Sequence, residues 1–181
     1  MAITRLGGAT AITGTIPQGN IANASLGAVT ALPGAIATGK VLQVVKAETN
    51  SEVGSTSTSY ADTGLTAAIT PSATSSKILI LVQQAFEMQD PGDGTVGGNF
   101  KILRDSTSIY KDGPAFSLFF DIGGADSPRM FNSYPMNYLD SPSSTSSITY
   151  KTQSAVYQSG DSLNSQPSGA DSSIILMEIA G

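Results

Sequence analysis

The apolar residues of this chain fall in short segments of alternating hydrophobicity. The clearest segment is KILILVQQAFEM at residues 77–88, where every second residue from Ile78 to Met88 is apolar except Gln84. A period of two places these side chains on one face of a β-strand. The opposite face is apolar at Leu79 and Leu81 and mostly polar beyond them. We therefore expect a central strand that is covered on both faces for part of its length.

Similar segments recur after residue 40, separated by clusters of Gly, Pro, Ser and Asp. FKILRD and TSIYKD within residues 100–112 indicate a hairpin that turns at Asp105-Ser106. Pro135 cannot donate a ladder hydrogen bond, so its strand is expected at a sheet edge or a bulge. The segments expected as strands are 40–48, 77–88, 100–112 (two strands), 116–122, 129–139, 147–157 and 173–180.

About eight short strands with turn-rich connections are typical of an all-β, antiparallel β-sandwich. We predict a jelly-roll-like head domain at residues 40–181. The intervening clusters, including DPGDGTVGGN and SGDSLNSQPSGADSS, are expected as turns. A chain of 181 residues suits one such domain with an appendage.

The appendage is residues 1–39, where Arg5 is the only charged residue and no aromatic residue occurs. Gly and Pro interrupt this segment too often for a long helix or strand. Two interpretations remain open: a disordered linker, or an extended arm that orders by burying apolar side chains on another chain. Because disordered tails are usually charged and poor in Ile and Leu, we predict an anchoring or oligomerisation arm. Its proposed anchors are Ile12, Ile16, Ile21 and Leu26.

Charge and composition exclude several classes of protein. The net charge is −5 and the few Lys and Arg residues are dispersed, so we expect no nucleic-acid binding. Ser and Thr make up about a quarter of the chain, whereas charged residues are only 13%. We therefore expect a surface that is hydrated through hydroxyl groups more than through charges. With no Cys, stability must come from packing or oligomerisation. We expect neither a signal peptide nor a membrane span.

The residue types also argue against catalysis. The chain has no His, which removes the usual Ser–His–Asp and Cys–His arrangements and His-ligated metal sites. DPGDG at residues 90–94 resembles a loop of calcium ligands, but it lacks EF-hand spacing and is expected as a turn. A glycosidase would need two carboxylates about 5–10 Å apart in a cleft. The candidates are Glu48, Glu52, Glu87, Asp90, Asp121, Asp140 and Asp161. We predict no enzymatic activity, no cofactor and no metal.

One strand offers a candidate ligand site. Tyr134 and Tyr138, with Asn132 and Asn137 beside them, have the aromatic and amide groups that stack on and hydrogen-bond a sugar. The competing interpretation is ordinary strand packing, because Tyr is common in strands. Glycan contact through Tyr134 and Tyr138 is therefore the weaker prediction.

Most of residues 39–181 resembles a domain of tailed-bacteriophage virion proteins, especially cyanophage tail-fibre-like proteins. The resemblance lies in four segments, of which the first is the most specific: STSTSYADTGLTAAITPSATSSKILILV, GKVLQVV, YLDSPSSTSSITYKTQ and SIILMEIAG. The segment ITGTIPQGNIANASLG is similar to lead-ins of phage fibre proteins. The resemblance implies a non-enzymatic virion component, a homotrimer with a β-sandwich head. It identifies no binding residues.

These observations lead to a functional hypothesis with two alternatives. The leading one is a short tail or head fibre-like virion protein, exposed on the particle and attached to other virion proteins through residues 1–39. The chain lacks the long repetitive shaft of many fibres, which leaves open a capsid-decorating (cement) protein. The third possibility is a lectin-like module that binds host glycans.

Overall fold

The computed structural model describes residues 41–92, 94–111, 118–121, 123, 127 and 129–181. The predicted arm and its anchors Ile12, Ile16, Ile21 and Leu26 lie outside the described residues. The described part contains eleven strands: β1 (Val41–Thr49), β2 (Val53–Ser55), β3 (Ala61–Ile69), β4 (Lys77–Gln89), β5 (Thr95–Arg104), β6 (Thr107–Lys111), β7 (Leu118–Asp121), β8 (Arg129–Asp140), β9 (Ile148–Val156), β10 (Ser162–Ser165) and β11 (Ser172–Ile179).

The strands form two antiparallel sheets. Sheet A has the order β1-β11-β4-β10-β2, and β8 pairs with the other side of β4. Strands β11 and β10 share one side of β4, with β11 along residues 77–83 and β10 along residues 86–89. Sheet B has the order β3-β9-β5-β6, and β7 also pairs with β5. Strand β4 is therefore the centre of sheet A, as its pattern predicted.

The core lies between the sheets. Tyr150, Phe86 and Phe100 are its largest fully buried side chains, and the Phe86 and Phe100 rings meet across it at 5.8 Å between centroids. All apolar residues of the alternating face of β4 are buried there, at 4% exposure or less. The predicted all-β antiparallel sandwich is confirmed.

Each of the eight predicted strands is present, but β2, β3 and β10 were not predicted. Strands β2 and β10 are only three and four residues long, and ADTGLTAAI in β3 includes Ala, Asp and Gly, which have low strand propensity. Burial against the opposite sheet decides their structure: Leu65, Ala67 and Ile69 of β3 are buried. Tertiary contacts here override local preference.

The prediction of a turn throughout DPGDGTVGGN was also wrong, because β5 begins at Thr95 and includes Gly97 and Gly98. Close packing explains these glycines. A Cβ at Gly98 would lie 2.4 Å from Leu163 Cδ1 and 3.2 Å from the Ala155 carbonyl oxygen. Only a residue without a side chain lets the strands approach so closely.

Gln84, which interrupts the apolar face of β4, belongs to a buried polar cluster between the sheets. Its side chain accepts a hydrogen bond from Thr152 Oγ1 at 3.0 Å and donates one to Ser172 Oγ at 3.0 Å. Thr63 joins the cluster by a hydroxyl contact with Thr152. Because all four side chains are fully buried, each needs these partners. The cluster fixes the register between β3, β4, β9 and β11.

The edge and hairpin predictions are confirmed. Strand β8 pairs only with β4 among the described residues, so Pro135 lies on an edge strand, opposite Gln83. Strands β5 and β6 form the expected hairpin. Asp105 takes the left-handed conformation (φ 54°) in its turn, which Asp tolerates better than most residues.

Candidate assembly surface

The most distinctive surface of the described residues is the outer face of sheet A. Leu139, Leu79, Met177 and Val44 lie directly opposite one another across β8, β4, β11 and β1. They form one continuous apolar row across four strands. Val44 is 56% exposed and Leu139 is 49% exposed. The row faces away from the core, because the residues between its members along each strand point inward.

Neighbouring rows enlarge this apolar surface. Leu81 and Ile175 lie opposite each other in the next row on one side, and Ile179 and Val41 in the next row on the other. Eight positions on strands about 4.8 Å apart, in rows about 6.8 Å apart, give an area of roughly 260 Å². We call this surface the outer apolar face; it consists of Val41, Val44, Leu79, Leu81, Leu139, Ile175, Met177 and Ile179.

Polar residues border the outer apolar face: Asn137 and Lys46 flank Leu81 and Ile175 in their row, and Lys77 lies opposite Ile179. The row beyond Leu81 consists of Pro135, Gln83, Ser173 and Glu48. Glu48 forms an ion pair with Lys46, with 2.5 Å between Nζ and Oε1. An apolar patch with a polar rim is the usual form of a protein–protein contact surface.

The sequence signal for this face is an apolar run that fills both faces of a strand. Leu79 and Leu81 predicted cover on the second face of β4, and the structure extends that face to β11, where SIILMEI is apolar on both sides. The described residues place no second layer over it. Val44, Leu139, Ile175, Met177 and the remaining members were not predicted, because their alignment depends on strand order.

The outer apolar face continues to the start of the described chain. Val41 and Leu42, at the beginning of β1, are 51% and 52% exposed. The ladder between β1 and β11 is irregular at this point, between Val41 and Gln43. Strand β1, the first described strand, therefore begins at one margin of the apolar surface.

The two candidate glycan-binding tyrosines pack inward. The Tyr134 ring stacks on Phe100, with 5.7 Å between centroids and 25° between planes. The Tyr138 ring contacts Tyr110 at 6.1 Å. Both rings are half-buried and contact the core. Asn137 points to the opposite face of β8, so the structure does not bring these four side chains together on one surface. Glycan contact stays a prediction.

Two of the candidate catalytic carboxylates anchor strands. Asp140 is buried and accepts hydrogen bonds from the Tyr150 hydroxyl at 2.7 Å and from Arg104 at 3.0 Å. Burial and the bond to Asp140 raise the pKa of Tyr150. Glu87, also buried, pairs with Arg129. Asp140 thus connects β8 to β5 and β9 of sheet B, and Glu87 connects β4 to β8.

The other candidate carboxylates stabilise turns and exposed pairs. Asp90 accepts hydrogen bonds from the backbone N–H of Gly92 and Gly94, so the described part of DPGDG has the contacts of a turn. Asp161 accepts one from Gly97 N–H and Asp121 one from Gly123 N–H. Glu52 accepts one from Ser168 N–H, and Glu48 pairs with Lys46. Among the described residues, no group of three or more acidic residues is arranged to hold a metal ion.

Glu178 is a further carboxylate that the sequence did not single out. It is 1% exposed and accepts hydrogen bonds from Ser72 N–H and Oγ, Ser76 Oγ and Gln43 Nε2, all between 2.6 and 2.7 Å. Burial raises its pKa, but these hydrogen bonds outweigh burial and lower the pKa to about 2. A single Glu within the apolar run IILMEI was the available signal. The ionised carboxylate joins β1, β11 and the β3–β4 connection.

Comparison with known proteins gives no family. No protein-family model matches the chain, and no curated protein matches it. Among the described residues, no helix has the length and hydrophobicity to cross a membrane.

Solved structures with similar strand arrangements include two of infectious bursal disease virus. The VP2 subviral particle has a TM-score of 0.38 and 14% identity, over 78% of this chain and 38% of that one. The T13 viral particle has a TM-score of 0.35 and 12% identity, over 78% and 36%. Dimeric latent PorU from Porphyromonas gingivalis has a TM-score of 0.35 and 14% identity, over 80% and 14%. The chain thus spans well under half the length of these proteins, and likeness at this level carries no argument about its function.

Proposed function

We propose that this chain is a non-enzymatic structural subunit of a virus particle. Residues 1–39 attach the subunit to the particle. Residues 40–181 form a β-sandwich head that associates with further copies as a homotrimer. The outer apolar face of sheet A is the observation that carries the proposal. Its members converge from four strands on one surface, where burial against a protein partner removes them from water.

The described acidic residues support a structural role. The seven carboxylates considered for glycoside hydrolysis all have partners within the fold: backbone N–H groups, a basic side chain or a tyrosine hydroxyl. Glycoside hydrolysis requires a pair of carboxylates directed at a bound sugar. Here the carboxylates stabilise turns and strand ladders instead.

The virion setting comes from the sequence resemblance to tailed-phage proteins. The most specific segment of that resemblance, residues 55–82, forms β3, the following connection and the first half of β4. It therefore includes Leu79 and Leu81 of the outer apolar face. The fibre-like role and the trimer are implied by this resemblance.

Deleting residues 1–38 tests the attachment. We expect the truncated chain to fold, because all the described strands lie outside the deleted segment, and to be missing from purified particles of the source virus. Immunoblots of particles and circular dichroism of the purified protein measure the two outcomes. Normal incorporation of the truncated chain would contradict the proposal.

A capsid-decorating role is the second candidate. It is favoured by the short distance in sequence between the arm and β1, with no repetitive shaft between them. Copy number separates the two roles in quantitative mass spectrometry of particles. Hundreds of copies per particle indicate decoration, and a few dozen or fewer indicate a fibre.

A further inference from the structure

We propose that the outer apolar face of each copy is covered by the N-terminal arm, residues 1–39, of a neighbouring copy. This inference rests on the proposed assembly function and names the occupant of its surface. Each chain would donate one arm and receive one.

The amount of apolar surface favours an arm over simple face-to-face packing. Two flat faces of roughly 260 Å² bury only about a third of the ~800 Å² per partner that a stable interface needs. An arm that lies across a neighbour's face adds its own apolar surface and backbone to the contact.

The chemistry of the arm and the face match. The eight side chains of the outer apolar face are all Val, Leu, Ile or Met, and the arm has one charged residue among its 39. Gly and Pro interrupt the sequence around Ile12, Ile16, Ile21 and Leu26, so the pattern predicts no separate core for these side chains. Burial on an apolar surface offsets the entropy lost when such a segment orders.

The position of the arm's attachment permits exchange. Strand β1, which follows the arm in sequence, begins at Val41, at the margin of the outer apolar face. A chain of 39 residues spans at most about 130 Å, several times the ~20 Å width of the face. The arm is therefore long enough to reach an adjacent copy.

Stoichiometry is satisfied when a second copy supplies the arm. Every copy supplies one arm and one face, so a closed ring of identical subunits leaves neither without a partner.

Disulfide trapping tests the exchange directly, because the chain contains no Cys. One copy, with a size tag, carries a single cysteine in the full-length arm: I12C, I16C, I21C or L26C in turn. The other copy, untagged, carries V44C on the face. F131C is the matched control, because Phe131 is 54% exposed on the same sheet but lies beyond the polar rim. After co-expression and mild oxidation, non-reducing gels separate the mixed dimers.

We expect at least one arm position to give a mixed dimer with V44C in at least fivefold higher yield than with F131C. Equal yields with V44C and F131C at all four positions would overturn the inference. A further variant carries an arm cysteine and V44C in one chain; a disulfide that forms within this chain while no mixed dimer forms would also overturn the inference.

Crosslinking and incorporation into particles together separate failure of the arm exchange from failure of the proposed function. If no arm position crosslinks to V44C but deletion of residues 1–38 still prevents incorporation, the arm binds another virion protein; the proposed function stands and the inference is wrong. If the crosslink forms but the chain is absent from particles, the inference stands and the virion role is wrong.

Discussion

At the scale of single residues, Glu178 shows how a charge is kept inside an apolar strand. Four hydrogen bonds from Ser72, Ser76 and Gln43 compensate its carboxylate for the loss of water. They favour the ionised form, and for this reason the pKa is about 2 although the side chain is buried. The residue thus links stability to pH.

We predict that Glu178→Gln lowers the free energy of unfolding by about 2–3 kcal/mol at pH 7, because it removes charge-assisted hydrogen bonds. The folded-state pKa lies below the unfolded value of 4.5. The contribution of Glu178 is therefore complete above about pH 4.5 and is lost as the pH falls towards 2. Urea titrations of both proteins at several pH values measure the difference.

Glu48→Gln is the matched control, since Glu48 is an exposed glutamate whose ion pair is worth little. Its urea midpoint should stay close to that of the wild type. A stability difference between Glu178→Gln and wild type that persists unchanged at pH 2 would contradict the role assigned to the carboxylate.

The sequence indicated some of these residues and missed others. Gln84 was visible as an interruption in an alternating strand, but its partners Thr152 and Ser172 are distant in sequence and become neighbours only in the sandwich. Glu178 had no visible partner for the same reason. Buried polar clusters depend on strand pairing, which a single sequence does not encode locally.

At the scale of elements, β5 shows why glycine-rich segments can be strands. Gly97 and Gly98 were predicted in a turn from composition. In the structure they lie where β5 pairs with β7, and Gly98 is also opposite Val156 of β9. The absence of a side chain permits the close approach of Leu163 from sheet A. Tertiary packing, rather than turn geometry, requires glycine here.

We predict that Gly98→Ala destabilises the sandwich by about 1–3 kcal/mol, because the added methyl group overlaps Leu163 Cδ1 in a fully buried site. Leu163→Ala should partly relieve this overlap. The double variant is then more stable than the sum of the single effects, which a double-mutant cycle in urea measures. Additive effects would show that Leu163 is not the cause.

At the scale of the whole molecule, strand order creates a surface that no single segment displays. Alternation predicted the inner face of β4, and Leu79 with Leu81 predicted cover on its outer side. That Val44, Met177 and Leu139 continue this row follows only from the register of β1, β11 and β8. The head's fold class could be predicted from sequence; the assembly surface could be predicted only in part.

The mass of the assembly in solution, measured by sedimentation equilibrium, tests the central claim that the outer apolar face holds copies together. Three chains of 18.5 kDa give about 55 kDa, which we expect for the wild type and for Phe131→Glu. Leu139→Glu places a charge on the face, at a position exposed enough to keep the fold, and should sediment as a monomer of 18.5 kDa. A monomeric wild type, or a Leu139→Glu variant that assembles as the wild type does, would contradict the account.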